Sequence, residues 1–416
     1  MITLFIFKSN ARGMQYGMGT YVRELSNALL NYTDISIYLI SYSNSDYREF
    51  SIETISERYH KVNIPLPNQP FPRSNKFEER YASVVVNLLS EVIPENEDII
   101  FQMNYIDDLP IVKKIKERYQ YPVISIVHFA QWQQLFNGNR QKLKALNIDN
   151  PTNNIEYTLN REKEMYQVSD HIVSVTHYMK GFLINEFGSL PDKIDVIPNG
   201  LDFRKYQVIL EDEKWELKRD LGFRQADKII LYSGRIDQCK GIFFLIDAFC
   251  EACKKSDDLR LVIIGQGEIQ ECIMRYNSYY GRITFTGFIP SDKVMAFYQI
   301  ADIGVIPSVY DHCPYTVLEM MSFQIPLILS RVNGLDEMLN DQQCVFIDPI
   351  VSETGEISFD KQEIAGAIIS LVNDKEKMNM ITKDYVELVN SRFSAKRMAE
   401  EMHSLLKKLC MVNVET

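Results

Sequence analysis

The sequence predicts an α/β protein of two doubly wound Rossmann-like domains facing across a cleft, with a C-terminal helix crossing back to the first domain. Three observations carry this. The chain has 416 residues, more than one hydrophobic core usually organises, so two domains of about 200 residues each are expected. Short apolar runs rich in β-branched residues alternate with helix-length amphipathic segments, the pattern of βαβ units. Every glycine-bearing or charged motif falls just after an apolar run, where open α/β sheets bind ligands.

In the first half, strands are expected at 2–7, 35–41, 98–103, 122–128, 171–175 and 194–197, with helices over 20–31, 76–91, 109–118, 154–168 and 177–187. The second half repeats the alternation, with strands at 228–233, 259–264, 282–285, 302–306, 326–329 and 343–347. Its helices are expected at 240–255, 267–279, 291–300, 315–324 and 361–373. Pro198-Asn199-Gly200 punctuates a strand end and Glu211 to Asp220 reads as a linking helix, which sets two nucleotide-binding-like domains at 1–205 and 206–392. The final stretch, 393–416, is expected to pack back on the first domain. Pro65 to Pro72 must be an extended loop, and with Asn137 to Asn154 it is expected to rim the cleft.

The formal charge is −11, divided as −3 over residues 1–200 and −8 over 201–416. That balance argues against nucleic-acid partners, because phosphate backbones demand a basic footprint. No basic leader precedes Ile2, and no stretch approaches ~20 uninterrupted apolar residues. The expectation is a cytoplasmic protein, at most peripheral on the inner face of a membrane through its first domain. Seven cysteines at scattered spacings fit reduced thiols. Cys250 and Cys253 lie on helical spacing and read as core residues rather than a metal or redox pair.

Gly17-Met18-Gly19 follows the first strand and precedes a helix expected to begin near Thr20, where backbone and helix dipole favour an anion; a plain βα turn has equal claim. Ser233-Gly234-Arg235, with Lys240-Gly241, follows the strand 228–233, and paired Arg and Lys can stabilise a departing diphosphate without a metal. No DxD triplet occurs to hold a divalent cation. Asp311 and Glu319 are spaced to grip different hydroxyls of one ligand. His128 ends the strand 122–128, and a lone histidine there is weak on its own. Gly265-Gln266-Gly267 and Gly287-Phe288-Ile289 are strand-end loops able to frame a nucleoside.

Taken in order, SGRIDQCKG, VIIGQGE, FTGFIP, ADIGVIPSVYD and TVLEMMSFQIPLI, preceded by GMGTYVREL, VHFAQW and VIPNGLD, resemble the retaining glycosyltransferases of family 4 with the GT-B fold. The resemblance implies that Arg235 and Lys240 hold the donor diphosphate and that Glu319 binds the ribose hydroxyls. It sets Asp311 where a glutamate is usual, against the donor sugar, with His128 nearby and Gly19 by the phosphate. Gly17, Gly234, Gly265, Gly287, Phe288, Ile289, Cys313, Tyr315 and Thr316 would complete the donor site, and Trp132 and Asn199 would stand on the acceptor side. The implied reaction moves a hexose from a nucleotide-sugar, UDP-linked by preference with GDP-mannose open, to a saccharide, lipid-linked or peptide acceptor. It implies no permanently bound cofactor and no metal. Asp311, Pro314 and Tyr16 depart from the family pattern, which keeps open a catalytically silent sugar-nucleotide-binding subunit or another GT-B enzyme such as an epimerase.

Overall fold

Strand β1 (Ile2–Ser9) is a near-continuous apolar run because it is covered on both faces: Leu4, Phe5, Ile6 and Phe7 are fully buried. It lies near the middle of an eight-stranded sheet with β2 (Ile35–Asn44), β3 (Ser51–Ser56), β4 (Tyr59–Pro65), β5 (Asp98–Met103), β6 (Val123–Val127), β7 (His171–Ser174) and β8 (Ile194–Val196). The order is β3-β4-β2-β1-β5-β6-β7-β8, parallel throughout except for the β3/β4 hairpin. A second, wholly parallel sheet runs β11-β10-β9-β12-β13-β14. Its strands are β9 (Lys228–Ser233), β10 (Leu259–Ile264), β11 (Ile283–Gly287), β12 (Ile303–Ile306), β13 (Leu327–Ser330) and β14 (Val345–Ile347). Strand order reverses at β1/β5 in the first sheet and at β9/β12 in the second, and each reversal leaves a crevice at the carboxyl ends of its strands.

This is a computed structural model, and the residues it describes are 1–9, 17–44, 48–66, 75–95 and 97–412. Most of the expected 65–72 loop, and Tyr16, lie outside them. The chain divides into two units. One comprises Met1–Gln131, Leu146–Gly200 and Ala395–Thr416; the other comprises Trp132–Ala145 and Leu201–Ser394. Within the first unit, the helix Ala395–Val412 packs along the helix Gly17–Leu29. His403 and Lys407 both reach Asp34, at 2.9 and 3.1 Å, and Arg397 donates to the Pro198 carbonyl at 2.6 Å.

Three expectations are corrected. The β3/β4 hairpin was not anticipated: β3 is exposed along most of its length, and β4 carries Lys61 and Asn63 between its apolar positions, so neither forms a continuous apolar run. The helix expected at Thr20 begins at Gly17, so Gly17 opens it and Gly19 lies in its first turn. The stretch read as a loop of the first domain holds the helices Gln131–Phe136 and Arg140–Lys144, and Trp132–Ala145 belongs with the second unit.

Candidate active site

At the β9/β12 reversal of the second unit, neighbouring strand ends are stitched together by their backbones. The Gly234 amide donates to the Ile264 carbonyl at 2.9 Å, and the Gly265 amide to the Gly287 carbonyl at 3.1 Å. Gly265 has a φ of +140°, and a Cβ there would stand 1.8 Å from the Gly234 oxygen, so only glycine allows this approach. Beyond Gly234, Arg235 Nη1 lies 3.3 Å from Asp237 Oδ2. Burial works against the Arg235 charge, but Asp237 and other negative groups more than offset it, and its pKa is raised. Asp237 also caps the turn Gln238–Lys240, its Oδ1 accepting the Lys240 amide at 2.9 Å.

Lys240 Nζ donates to Asp311 Oδ2 at 2.7 Å, within a largely buried ion pair in which the side chains are 20% and 11% exposed. Asp311 also accepts from Ser308 Oγ at 3.1 Å and from the His312 amide at 3.1 Å. The sequence suggested separate tasks for Lys240 and Asp311; the structure joins them. The loop after β13 closes on Asp311 through Gly334, whose φ is +95° and whose Cβ, were it present, would lie 2.1 Å from the Asp311 carbonyl oxygen.

Between Asp311 and the helix Tyr315–Ser322 sits Cys313, buried with a φ of +48°, a left-handed conformation worth about 1–3 kcal/mol of strain for a residue other than glycine. Glu319, one turn into that helix, accepts from the Tyr298 hydroxyl at 2.8 Å. Tyr315 is buried and Thr316 partly so, while beyond β11 Phe288 is exposed and Ile289 partly buried.

The segment Trp132–Ala145 supplies contacts that sequence reasoning missed. His312 Nε2 is 2.6 Å from Gln133 Oε1; burial lowers the His312 pKa to about 4, so the ring is neutral and this nitrogen donates. Asn137 donates to Gln238 Oε1 at 3.1 Å and accepts from Cys239 Sγ at 2.8 Å, and Asn139 Nδ2 donates to the Thr354 carbonyl at 2.9 Å. Trp132 was expected on the acceptor side of the first domain; it is buried within the second unit instead. Asn139, whose side chain caps the helix Arg140–Lys144, was the one legible signal. Nothing in the sequence named its packing partner.

In the first unit, His128 follows β6, partly buried. Asn104 donates to the Phe7 carbonyl through Nδ2 at 3.0 Å, so its Oδ1, 3.2 Å from His128 Nε2, is the acceptor of that pair. His128 is thereby held with a proton on Nε2, and burial lowers its pKa to about 3. Its ring meets Tyr21 edge-on at 4.7 Å, and it borders a small pocket with Asn104, Tyr105, Ser125 and Tyr166. Asn199 is buried just beyond β8. Glu162, not singled out from sequence, is fully buried; its oxygens accept the Gln131 amide at 3.2 and 3.3 Å, and burial pushes its pKa up to about 8.

Among the described residues, no group of three or more His, Cys, Asp or Glu is placed to hold a metal ion, and no helix is long and apolar enough to cross a membrane. Residues 213–385 match the family model for glycosyl transferases group 1, and residues 16–205 match that for glycosyltransferase family 4. The chain belongs to family 4 of the glycosyltransferases.

This glycosyltransferase is 21% identical to mannosylfructose-phosphate synthase of Agrobacterium fabrum, over 96% of the chain and 87% of that protein. It is 30% identical to an uncharacterised glycosyltransferase of Methanocaldococcus jannaschii, over 42% of the chain and 45% of the relative. Most of the other leading curated relatives are likewise matched over about half their length. Among solved structures, sucrose-phosphate synthase from Thermosynechococcus elongatus superposes with a TM-score of 0.78 at 17% identity, covering 99% of the chain and 100% of that structure. An Anabaena protein solved with UDP and glucose gives 0.70 at 16% identity, covering 97% and 99%. At these identities the likeness establishes the fold, and the fold is the GT-B type.

Proposed function

We propose that this family 4 glycosyltransferase moves a hexose from a UDP-sugar to an acceptor hydroxyl with retention of configuration and without a metal ion, in glycan or glycoconjugate synthesis. The observation that carries the reading is the Arg235 and Lys240 pair at the β9/β12 reversal, each charge already held by a carboxylate. Sugar departure adds a negative charge to a diphosphate that already carries two, and preorganised cations beside it stabilise that charge as it forms. Asp311 orients the Lys240 ammonium and has acceptor capacity for a sugar hydroxyl, and Glu319 serves the ribose. The acceptor oxygen bonds to the anomeric carbon on the face that the diphosphate leaves, the carbon–oxygen bond to phosphate breaks, and a phosphate oxygen takes the acceptor's proton. His128, neutral, offers Nδ1 as a hydroxyl acceptor. The first unit would bind the acceptor and the second the donor, in the cytoplasm, with peripheral membrane attachment through the first unit.

The relative that makes a mannosylfructose phosphate and the Anabaena structure holding UDP support a sugar nucleotide as donor. A thermal-shift series with UDP, GDP, ADP and their hexose conjugates, with and without magnesium, tests it. UDP and a UDP-hexose should raise the melting temperature equally well without magnesium, since a ligand of the native state stabilises by mass action. If no nucleotide shifts it, the donor reading and the transferase mechanism built on it both fall.

A further inference from the structure

The β1/β5 reversal of the first unit carries a cluster that the donor reading does not use. Strand register sets Lys8 of β1 level with Ser41 of β2, and Ser41 level with Asn63 of β4. Strand alternation then puts Lys61 on the same face, opposite Leu39, and Gln102 of β5, level with Ile6, on that face too. Away from the carboxyl ends this face is apolar, built from Leu4, Ile6, Ile37, Leu39 and Ile100. Lys8, Asn63 and Gln102 replace it at those ends, where open α/β sheets take ligands, and Lys61 lies two residues before Asn63 on the same face.

Among the described residues the cluster has one carboxylate for its two ammonium groups. Lys61 lies 3.7 Å from Glu53 on the exposed edge strand, while Lys8, partly buried, makes no ion pair among the described residues. Gln102 is fully buried, and its Oε1 has no hydrogen-bond partner among them. We propose that Lys8 and Lys61 form a phosphate subsite for the acceptor, a phosphorylated sugar or polyol whose hydroxyl groups are offered to the Gln102 side of the cluster. The phosphate would neutralise Lys8 and share Lys61 with Glu53, a charge-assisted contact of the strong kind. Burial, followed by the charge of Lys61, already holds the Lys8 pKa below its ordinary value, the strain that an anion would relieve. The inference rests on the transferase reading for its acceptor, not for its phosphate.

Calorimetric titrations on the full chain test it, using inorganic phosphate, glucose 6-phosphate, glucose, and vesicles containing phosphatidylinositol. UDP titrated into each variant serves as the control for folding and for the donor site. Glucose 6-phosphate should bind at least about tenfold more tightly than glucose, inorganic phosphate should compete with it, and Lys8→Met and Lys61→Met should each weaken it about tenfold with UDP binding unchanged. Lys8-dependent binding of the vesicles alone would assign the same subsite to a lipid headgroup. Equal affinity for glucose and its phosphate, or no response to any phosphate probe that depends on Lys8, would overturn the subsite. Loss of UDP binding in the parent chain would sink the donor reading separately.

Discussion

At the reversal of the second sheet, Arg235 and Lys240 each face a carboxylate, Asp237 at 3.3 Å and Asp311 at 2.7 Å. Near the carboxyl ends of β5 and β6 in the first sheet, burial discharges the ionisable groups instead. His128 is pushed down to about 3, Glu162 up to about 8, and Asp108, which accepts from the Tyr42 hydroxyl, well above the carboxylate range. Under the proposed function the difference follows ligand chemistry. A diphosphate needs cations already in place, since creating them on binding would cost desolvation and reorganisation. A hydroxyl needs neutral donors and acceptors fixed in direction. Lys8 is the exception in the first sheet, a partly buried cation without a carboxylate among the described residues.

The severest way to break the contrast is to separate the stitched strand ends of the second sheet. Gly265→Ala drives a methyl into the Gly234 carbonyl and should cost more than about 4 kcal/mol or prevent folding. A melting temperature within a few degrees of the parent would show the two loops free to part. Next, Lys240→Ala should lower kcat/KM by about 10²–10³. Because Asp311 is left largely buried and unpaired, melting should fall as well. Combining Lys240→Ala with Asp311→Asn should recover the melting temperature but not the turnover; recovery of turnover would remove Lys240 from the leaving-group role.

The smallest effects are pH profiles, with opposite signs in the two units. His312 titrates near 6.5 unfolded and about 4 folded, so its neutral burial costs stability as pH falls from 6.5 towards 4. Relative to the parent, His312→Gln should gain about 1.4 kcal/mol per pH unit over that fall. Glu162 is raised from 4.5 to about 8, so its contribution is full below the lower value and is lost as pH rises through the higher. Glu162→Gln should therefore gain on the parent as pH rises across that window. Urea unfolding at half-unit pH intervals reads both slopes, and profiles parallel to the parent would mean these groups are not held neutral.

Most strands were legible because they are covered on both faces: Ile229-Ile230-Leu231 and Leu261-Val262-Ile263 need no partner in view to read as strands. The charged residues of the second unit were legible too, since motif order fixes which strand end each one follows. Pairing was not. That Lys240 meets Asp311, 71 positions away, or that His312 meets Gln133, depends on register and loop packing that no local pattern encodes. The β3/β4 hairpin was missed because an edge strand faces solvent and loses the apolar signal.

The helix Ala395–Val412 belongs to the unit that begins with β1, which matters in time as well as in space. A ribosome delivers the chain from its N-terminus, so the second unit has all its strands while the first still lacks its last helix. Until residues 395–412 emerge, the buried side of Gly17–Leu29 has no cover from them, and Asp34 waits for His403 and Lys407. The unit translated first is thus the last to be finished, and a nascent chain stalled before residue 395 should present that bare helix face to chaperones.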